Sequence, residues 1–157
     1  MDLLKRLSPI IIVLCVLLSA VLFASCTVDG MELKARNNPH DPINPPEVKN
    51  VYVNTTDHPL TEGMRLESTS DELLVEFYMA MNQQSVEDAL ILQDTSDPPI
   101  AYEPDLSWPE IYLLRIAAPN NGWPADEQIN LVVLRRAENT AEKAMAATFD
   151  TFFLTAE

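Results

Sequence analysis

The strongest constraint on the fold is an alternation of side-chain types between Leu73 and Met81. Every second residue is apolar, Phe77 among them, and the alternate positions from residue 72 onward include Glu72 and Glu76. Successive side chains of a β-strand point to opposite faces of its sheet, so this period separates an apolar face from an acidic one. The pattern predicts a strand on a half-solvated sheet, with Phe77 in the core.

Further short segments alternate in the same way, with proline-rich or asparagine-glycine turns between them. Several short strands at this spacing predict an all-β sandwich of about seven strands. The additional predicted strands are 48–54, 89–93, 111–117, 129–133 and 149–153.

Two segments depart from the strand pattern. Ser85 precedes Glu87 and Asp88, which predicts a short helical turn with Ser85 as its N-cap and acids in the first turn. Residues 137–147 have a helix-favouring composition, so we expect a helical turn or a loose crossover there and not a strand.

The amino terminus has the organisation of a signal peptide. Lys5 and Arg6 precede a mostly apolar run over residues 10–23, and Ala24-Ser25-Cys26 follows it. As a helix the run would measure roughly 21 Å, short of the ~30 Å hydrocarbon core of a membrane. The length of the apolar run and the order of charged, apolar and small residues favour a secretory signal over a spanning helix, although an uncleaved signal anchor is the alternative.

The small residues before Cys26 resemble the lipobox of bacterial lipoproteins, with Phe23 standing where leucine is usual. The resemblance implies cleavage after residue 25, lipidation of Cys26 and a location in the bacterial cell envelope. Cys15 would leave with the signal peptide, so no free thiol would remain in an oxidising compartment. Thr27, not aspartate, follows the cysteine, which by the same resemblance favours the outer membrane if the host has one.

Residues 26–45 contain prolines but no apolar periodicity, which predicts a flexible, extended linker between the lipid and the domain at 46–157. His40 lies in this linker, and we expect it to be solvated. The polypeptide itself is acidic, with a net charge of −14. It should therefore repel nucleic acid and anionic lipid, so that membrane contact would depend on the acyl chains.

The order of motifs within the domain carries a family resemblance. A strand containing Phe77 is followed by Met81, and Ser85-Val86 then open a short helical turn. Further along, residues 123–126 lead into the strand at 129–133, and the last strand begins with Phe149-Asp150-Thr151. In this order, about residues 46–156 resemble the bacterial Ig-like domains of the S-layer type.

The resemblance implies an Ig-like β-sandwich and a set of core positions. This sequence departs from the family at Tyr78 and in the loop from Glu138 to Lys143, so we expect that loop to be built differently. The implied core positions are Phe77, Met81, Val86, Leu131 and Phe149.

The sequence offers few groups for catalysis. His40 and His58 lie in predicted loops, and the three glycines are too far apart for a phosphate-binding loop. Adjacent carboxylates on a strand point to opposite faces and do not converge. We therefore expect no enzyme activity, no cofactor and no metal ion; calcium on the acidic surface remains an alternative, although no calcium-loop spacing appears.

Three functions remain open. The favoured one is a non-catalytic envelope lipoprotein whose Ig-like domain is a structural or protein-interaction module, with an envelope protein as partner. The alternative is a carbohydrate-binding lipoprotein in which Trp108 and Tyr102 stack on a glycan, while Trp123 is expected in the core. An enzyme or an accessory hydrolase subunit would require a pocket with converging acids.

Overall fold

The computed structural model describes residues 38–157, so the predicted signal peptide, Cys15 and the lipidation site Cys26 lie outside the described residues. The described part contains seven strands and one short helix. Among these residues, no helix has both the length and the apolar character needed to cross a membrane. The elements in chain order are β1 (Val48–Val53), β2 (Leu73–Phe77), α1 (Gln83–Ala89), β3 (Leu90–Gln93), β4 (Leu106–Glu110), β5 (Leu113–Ile116), β6 (Gln128–Val133) and β7 (Phe149–Leu154).

The strands form two antiparallel sheets. The first sheet has the order β1-β2-β5-β4, and the second has the order β3-β6-β7. The helix α1 follows β2 and leads directly into β3, so it carries the chain from one sheet to the other. The prediction of an all-β, Ig-like sandwich is confirmed.

The alternation that predicted β2 places its core-facing side chains as expected, although the strand ends at Phe77, and Leu74 on the opposite face is also buried. Leu73, Val75 and Phe77 are buried in the core, and the buried set continues through Met79 and Met81. On β6 the same period buries every second residue. Burial of these apolar faces against each other is the main contribution to the stability of the sandwich. The largest fully buried side chains are Trp123, Phe77, Phe153, Leu73, Met81, Leu114, Ile116, Ile129, Leu131, Val75, Val86 and Val133.

Two local features differ from the sequence prediction. β4 was not predicted, because its sequence LSWPE contains Pro109 and its register with β5 shifts between Ser107 and Glu110. The N-cap of α1 is Asn82 rather than Ser85, because the Asn82 side chain accepts a hydrogen bond from the Ser85 backbone N–H at 3.3 Å. With this earlier start, the first turn of α1 contains no acidic residue, contrary to the prediction.

The segment 137–147 is neither a helical turn nor a crossover: it lies in the loop that joins the neighbouring antiparallel strands β6 and β7, and isolated bridges and a buried asparagine hold it. Asn139 is fully buried, and its Oδ1 accepts hydrogen bonds from the backbone N–H groups of Ala141 at 2.9 Å and Lys143 at 3.0 Å. Its Nδ2 donates to the carbonyl of Pro42 at 2.9 Å. One side chain therefore closes the loop and attaches it to residues near the start of the compact unit.

That compact unit begins at Pro39, earlier than the domain boundary expected at residue 46. His40 Nδ1 hydrogen-bonds to the carbonyl of Tyr78, and Pro42 accepts from Asn139. The last part of the predicted linker is thus in contact with the domain, because its carbonyls and imidazole find polar partners there.

Loop segments cover three of the four sheet edges. Residues 58–60 hydrogen-bond along β1, residues 100–102 along β3, and residues 63–66 along β7. Within residues 38–157, no backbone group pairs with the outer edge of β4. Unpaired edge groups are available to another chain, so β4 is the edge at which further pairing is possible.

Truncation of the core aromatic Phe77 tests the assigned register of β2. Phe77→Ala should lower the free energy of unfolding by about 3–5 kcal/mol, because it removes a buried ring and leaves a cavity. The matched control Ile111→Ala removes a side chain that is 56% exposed and should change stability by within about 0.5 kcal/mol. Urea titration provides both values, and equal losses would contradict the assignment of Phe77 to the core face of β2.

Replacement of Asn139 tests the role of the closed loop. Asn139→Ala leaves two backbone N–H groups and a carbonyl without partners, so we expect a loss of about 2–4 kcal/mol in urea titration. Asn120→Ala, in an exposed turn, is the control and should be close to neutral. Faster amide exchange at Lys143 in Asn139→Ala would show that the loop has opened, whereas unchanged exchange and stability would contradict this role.

Candidate functional site

The most distinctive surface feature lies on the side of the sandwich where the chain crosses between the sheets. A cleft of about 210 Å³ opens there between α1 and β3 on one side and the segment leading into β4 on the other. We call it the β3–β4 cleft. Its floor is apolar and its rim carries two carboxylates; its lining residues are Glu87, Leu90, Leu92, Tyr102, Glu103, Pro104 and Leu106.

Trp108 lies on β4 beside this cleft and is partly buried. Its ring stacks on the core ring of Phe77 with centroids 6.3 Å apart, and its Nε1 donates to Glu87 Oε1 at 2.9 Å. The hydrogen bond joins α1 to β4 and holds Glu87 at the rim of the cleft. The ring that only the alternative, carbohydrate-binding hypothesis assigned to a glycan is therefore engaged with the core and with α1.

Tyr102 is also partly buried, and it packs against a different core ring. Its ring meets Trp123 edge-on with centroids 6.3 Å apart, and its backbone N–H donates to Leu92 at 2.8 Å. Burial raises the pKa of the Tyr102 phenol, and the negative charges of Asp94 and Glu127 raise it further. Tyr102 and Trp108 thus belong to separate aromatic pairs and do not stack on each other.

The positions implied by the family resemblance differ in burial. Phe77, Met81, Val86 and Leu131 are buried, whereas Phe149 is partly exposed and packs against the edge of the core. Trp123 is 2% exposed and meets Phe153 edge-on at 5.4 Å, which places it in the core.

A buried carboxylate organises the loop between β3 and Tyr102. Asp94 Oδ1 accepts hydrogen bonds from the Ile100 N–H at 2.7 Å and from the Ser96 hydroxyl at 2.7 Å and N–H at 3.1 Å. The bond from the Ile100 N–H, followed by the Ser96 hydroxyl, lowers the pKa of Asp94 below its ordinary value. The Asp94 carboxylate therefore holds the loop from Ser96 to Ile100 closed, and this loop leads to Tyr102 in the lining of the cleft.

The acidic face of β2 is paired with cations and hydroxyls. Lys49 and the Tyr52 hydroxyl donate to Glu76 at 2.8 and 2.7 Å, and Arg115 pairs with Glu72. Partial burial favours a higher pKa for Glu76, but the hydrogen bonds from Lys49 and Tyr52 outweigh it and lower that pKa. These carboxylates connect strands within the sheet and are satisfied there.

Groups suited to catalysis are sparse in residues 38–157. His58 and the Thr55 hydroxyl lie 3.1 Å apart, but no described carboxylate hydrogen-bonds to His58. A nucleophile and base of this kind are usually oriented by a third group. The part of the chain that the structure describes holds no cluster of three or more His, Cys, Asp or Glu side chains that would suit a metal ion.

Two further depressions are present. One, of about 190 Å³, includes His58 and Asp71 in its lining, and the Asp71 carboxylate is already bound by Asn54 and by the N–H groups of Glu67 and Ser68. The other is a shallow polar groove of about 480 Å³; it is lined by Asn82, Gln84, Ser85, Asp88, Arg136 and Glu138. The apolar β3–β4 cleft combines a hydrophobic floor with carboxylates, and we take it as the candidate site.

Sequence reasoning missed Glu87, Glu103 and the role of Asp94. The pairing of Glu87 with Trp108 joins residues 21 positions apart on different elements, which no local pattern reveals. Asp94 was accessible in principle, because an aspartate two residues before a serine is typical of an Asx-turn.

No protein-family model and no curated protein matches the chain. Among solved structures, the native conformation of E. coli alpha-2-macroglobulin is similar, with a TM-score of 0.50 and 7% sequence identity. The match covers 73% of this chain and 6% of that one, so this chain corresponds to a small part of the larger protein. At this identity the likeness concerns the fold alone.

Stability at acidic pH tests the depressed pKa of Asp94. Because its folded pKa lies below the ordinary value of 3.8, the charged form stabilises the fold above that value. This contribution is lost as the pH falls through the folded pKa. Asp94→Asn keeps an acceptor oxygen but removes the charge, so its stability deficit relative to wild type should shrink between pH 7 and pH values below 3.8.

Urea titrations of both proteins across this range measure the deficit. Thr95→Ala, in the same loop, removes no ionisable group and should give a deficit that does not vary with pH. A deficit of Asp94→Asn that stays constant or grows on acidification would contradict the assignment.

Proposed function

We propose that this chain is a non-catalytic cell-envelope lipoprotein whose Ig-like domain is a structural or protein-interaction module. In this proposal Cys26 carries the lipid that holds the protein on a membrane, the outer membrane where the host has one. The lipobox-like sequence and the S-layer-type motif order support it, together with the Ig-like fold.

The observation that carries the proposal is the filled interior of the sandwich together with the covered edges of its sheets. Its interior is filled by its own side chains, and three of its four sheet edges are covered by loops. Typical small-molecule sites occupy about 300–1,000 Å³ and are lined largely by apolar side chains. The apolar cleft of about 210 Å³ is smaller, which favours contact with part of a macromolecule over enclosure of a substrate.

The arrangement of the aromatic side chains favours protein over glycan as the partner. Glycan stacking requires an open aromatic face, and Trp108 and Tyr102 are each packed against a separate core ring. Their hydrogen-bond and ring contacts are explained by packing between α1, β4 and the core. The proposed partner is accordingly an envelope protein.

Labelling of the full chain with radioactive palmitate in a bacterial host tests the lipid anchor. Wild type should be labelled, and Cys26→Ala should not, because the acceptor thiol is gone. Cys15→Ala is the matched control: it removes the other cysteine and should be labelled like wild type. Equal labelling of Cys26→Ala and wild type would contradict the proposed anchor.

A further inference from the structure

We propose that the β3–β4 cleft receives a lysine or arginine side chain from an extended segment of a partner protein that pairs with the outer edge of β4. This inference deepens the proposed interaction role and rests on it. It names the place of contact and the chemistry of the partner.

The edge of β4 provides the backbone part of the contact. The Ala117 N–H donates to the Asp105 carbonyl at 3.0 Å, so Asp105 directs its backbone carbonyl towards the β5 side. Ser107, two residues further along and opposite Arg115 of β5, occupies the next equivalent position. Hydrogen-bonded and non-hydrogen-bonded pairs alternate in an antiparallel ladder, so Leu106 directs its N–H and carbonyl away from β5. Pro109 has no N–H and limits the usable edge to the first part of the strand.

The cleft begins at the same residue and provides the side-chain part. Leu106 belongs both to the edge of β4 and to the lining of the cleft. The floor formed with Leu90 and Leu92 suits an aliphatic stem, since lysine and arginine bury their methylene groups along apolar surface while the charged head stays at a polar rim. A cleft of about 210 Å³ matches the insertion of one side chain rather than a whole ligand.

The rim supplies the charge that selects a cation. Glu87 is held in place by Trp108 through Oε1, and Glu103 is exposed. The ion pairs of residues 38–157 are Lys49–Glu76, Arg65–Asp126 and Arg115–Glu72, none of which uses either rim carboxylate. Both carboxylates therefore stand at the mouth of an apolar cleft without a cationic partner from the described chain.

The overall charge argues against a second copy as the occupant. Residues 38–157 carry 21 acidic and six basic side chains, so two copies repel each other. A segment with one or more basic side chains is attracted by the same field. The complementary partner is therefore a basic, extended stretch of another protein.

Fluorescence anisotropy of labelled five-residue peptides tests the proposal on the full chain in a zwitterionic detergent. The probe is Thr-Val-Arg-Val-Thr, and the matched peptide carries glutamine in place of arginine. We expect the arginine peptide to bind and the glutamine peptide to bind about tenfold more weakly, since two ion pairs are lost. An arginine peptide N-methylated at the arginine backbone nitrogen should also bind more weakly, because a residue whose side chain shares the face of Leu106 directs its N–H to the β4 edge.

Charge-neutralising variants locate the contact. The double variant Glu87→Gln with Glu103→Gln should weaken binding of the arginine peptide about tenfold, while glutamine keeps an acceptor for the Trp108 N–H. Glu110→Gln is the control, because this exposed acid lies on β4 but does not line the cleft. Thermal unfolding of each variant verifies that the fold is retained.

Several results would overturn the proposal. Equal binding of the arginine and glutamine peptides would exclude charge selection, and no binding of either would exclude the site. An equal effect of Glu110→Gln and the double variant would indicate general attraction to an acidic surface. Displacement of the peptide by cellohexaose would identify the cleft as a glycan site. None of these results bears on palmitate labelling of Cys26, so failure of the cleft and failure of the lipid anchor are separate outcomes.

Discussion

The placement of Trp123 between the two sheets is the constraint on which the rest of the sandwich depends. Its indole N–H donates to the Asp71 carbonyl at 2.8 Å, and its ring meets Phe153 of β7. The Asp71 side chain in turn binds Asn54 at the end of β1. A single buried indole in the connection between β5 and β6 thereby links the first sheet, the turn before β2 and the last strand. Burial of such a large ring also supplies a substantial part of the hydrophobic stabilisation.

Buried polar side chains next to this core have hydrogen-bond partners throughout the described chain. Asp71, Asp94 and Asn139 are buried, and each organises a loop by accepting backbone N–H groups. Residues 38–157 contain no buried side-chain nitrogen or oxygen without a hydrogen-bond partner. Three polar side chains thus substitute for regular secondary structure in the longest connections, at positions where an apolar residue would leave backbone groups unpaired.

The sequence was most informative where one physical effect dominated. The alternation in β2 and β6 predicted those strands correctly, because a sheet with one buried face requires this period. β4 escaped prediction because Pro109 and the irregular register obscure its pattern. In segment 137–147, helix-favouring composition was overridden by the hydrogen bonds of Asn139, whose partner Pro42 lies 97 positions away. The candidate cleft depends on contacts of the same long range, so local patterns did not locate it.

The attachment of residues 39–45 to the domain has a mechanical consequence under the proposed lipid anchor at Cys26. Tension arriving along the chain reaches the contacts of His40 and Pro42 before it reaches β1. At about 3.3–3.6 Å per extended residue, release of these seven residues lengthens the tether by roughly 25 Å while the sheets stay intact. The hydrogen bonds of Asn139 to this segment would then break under tension and form again when the tension is removed.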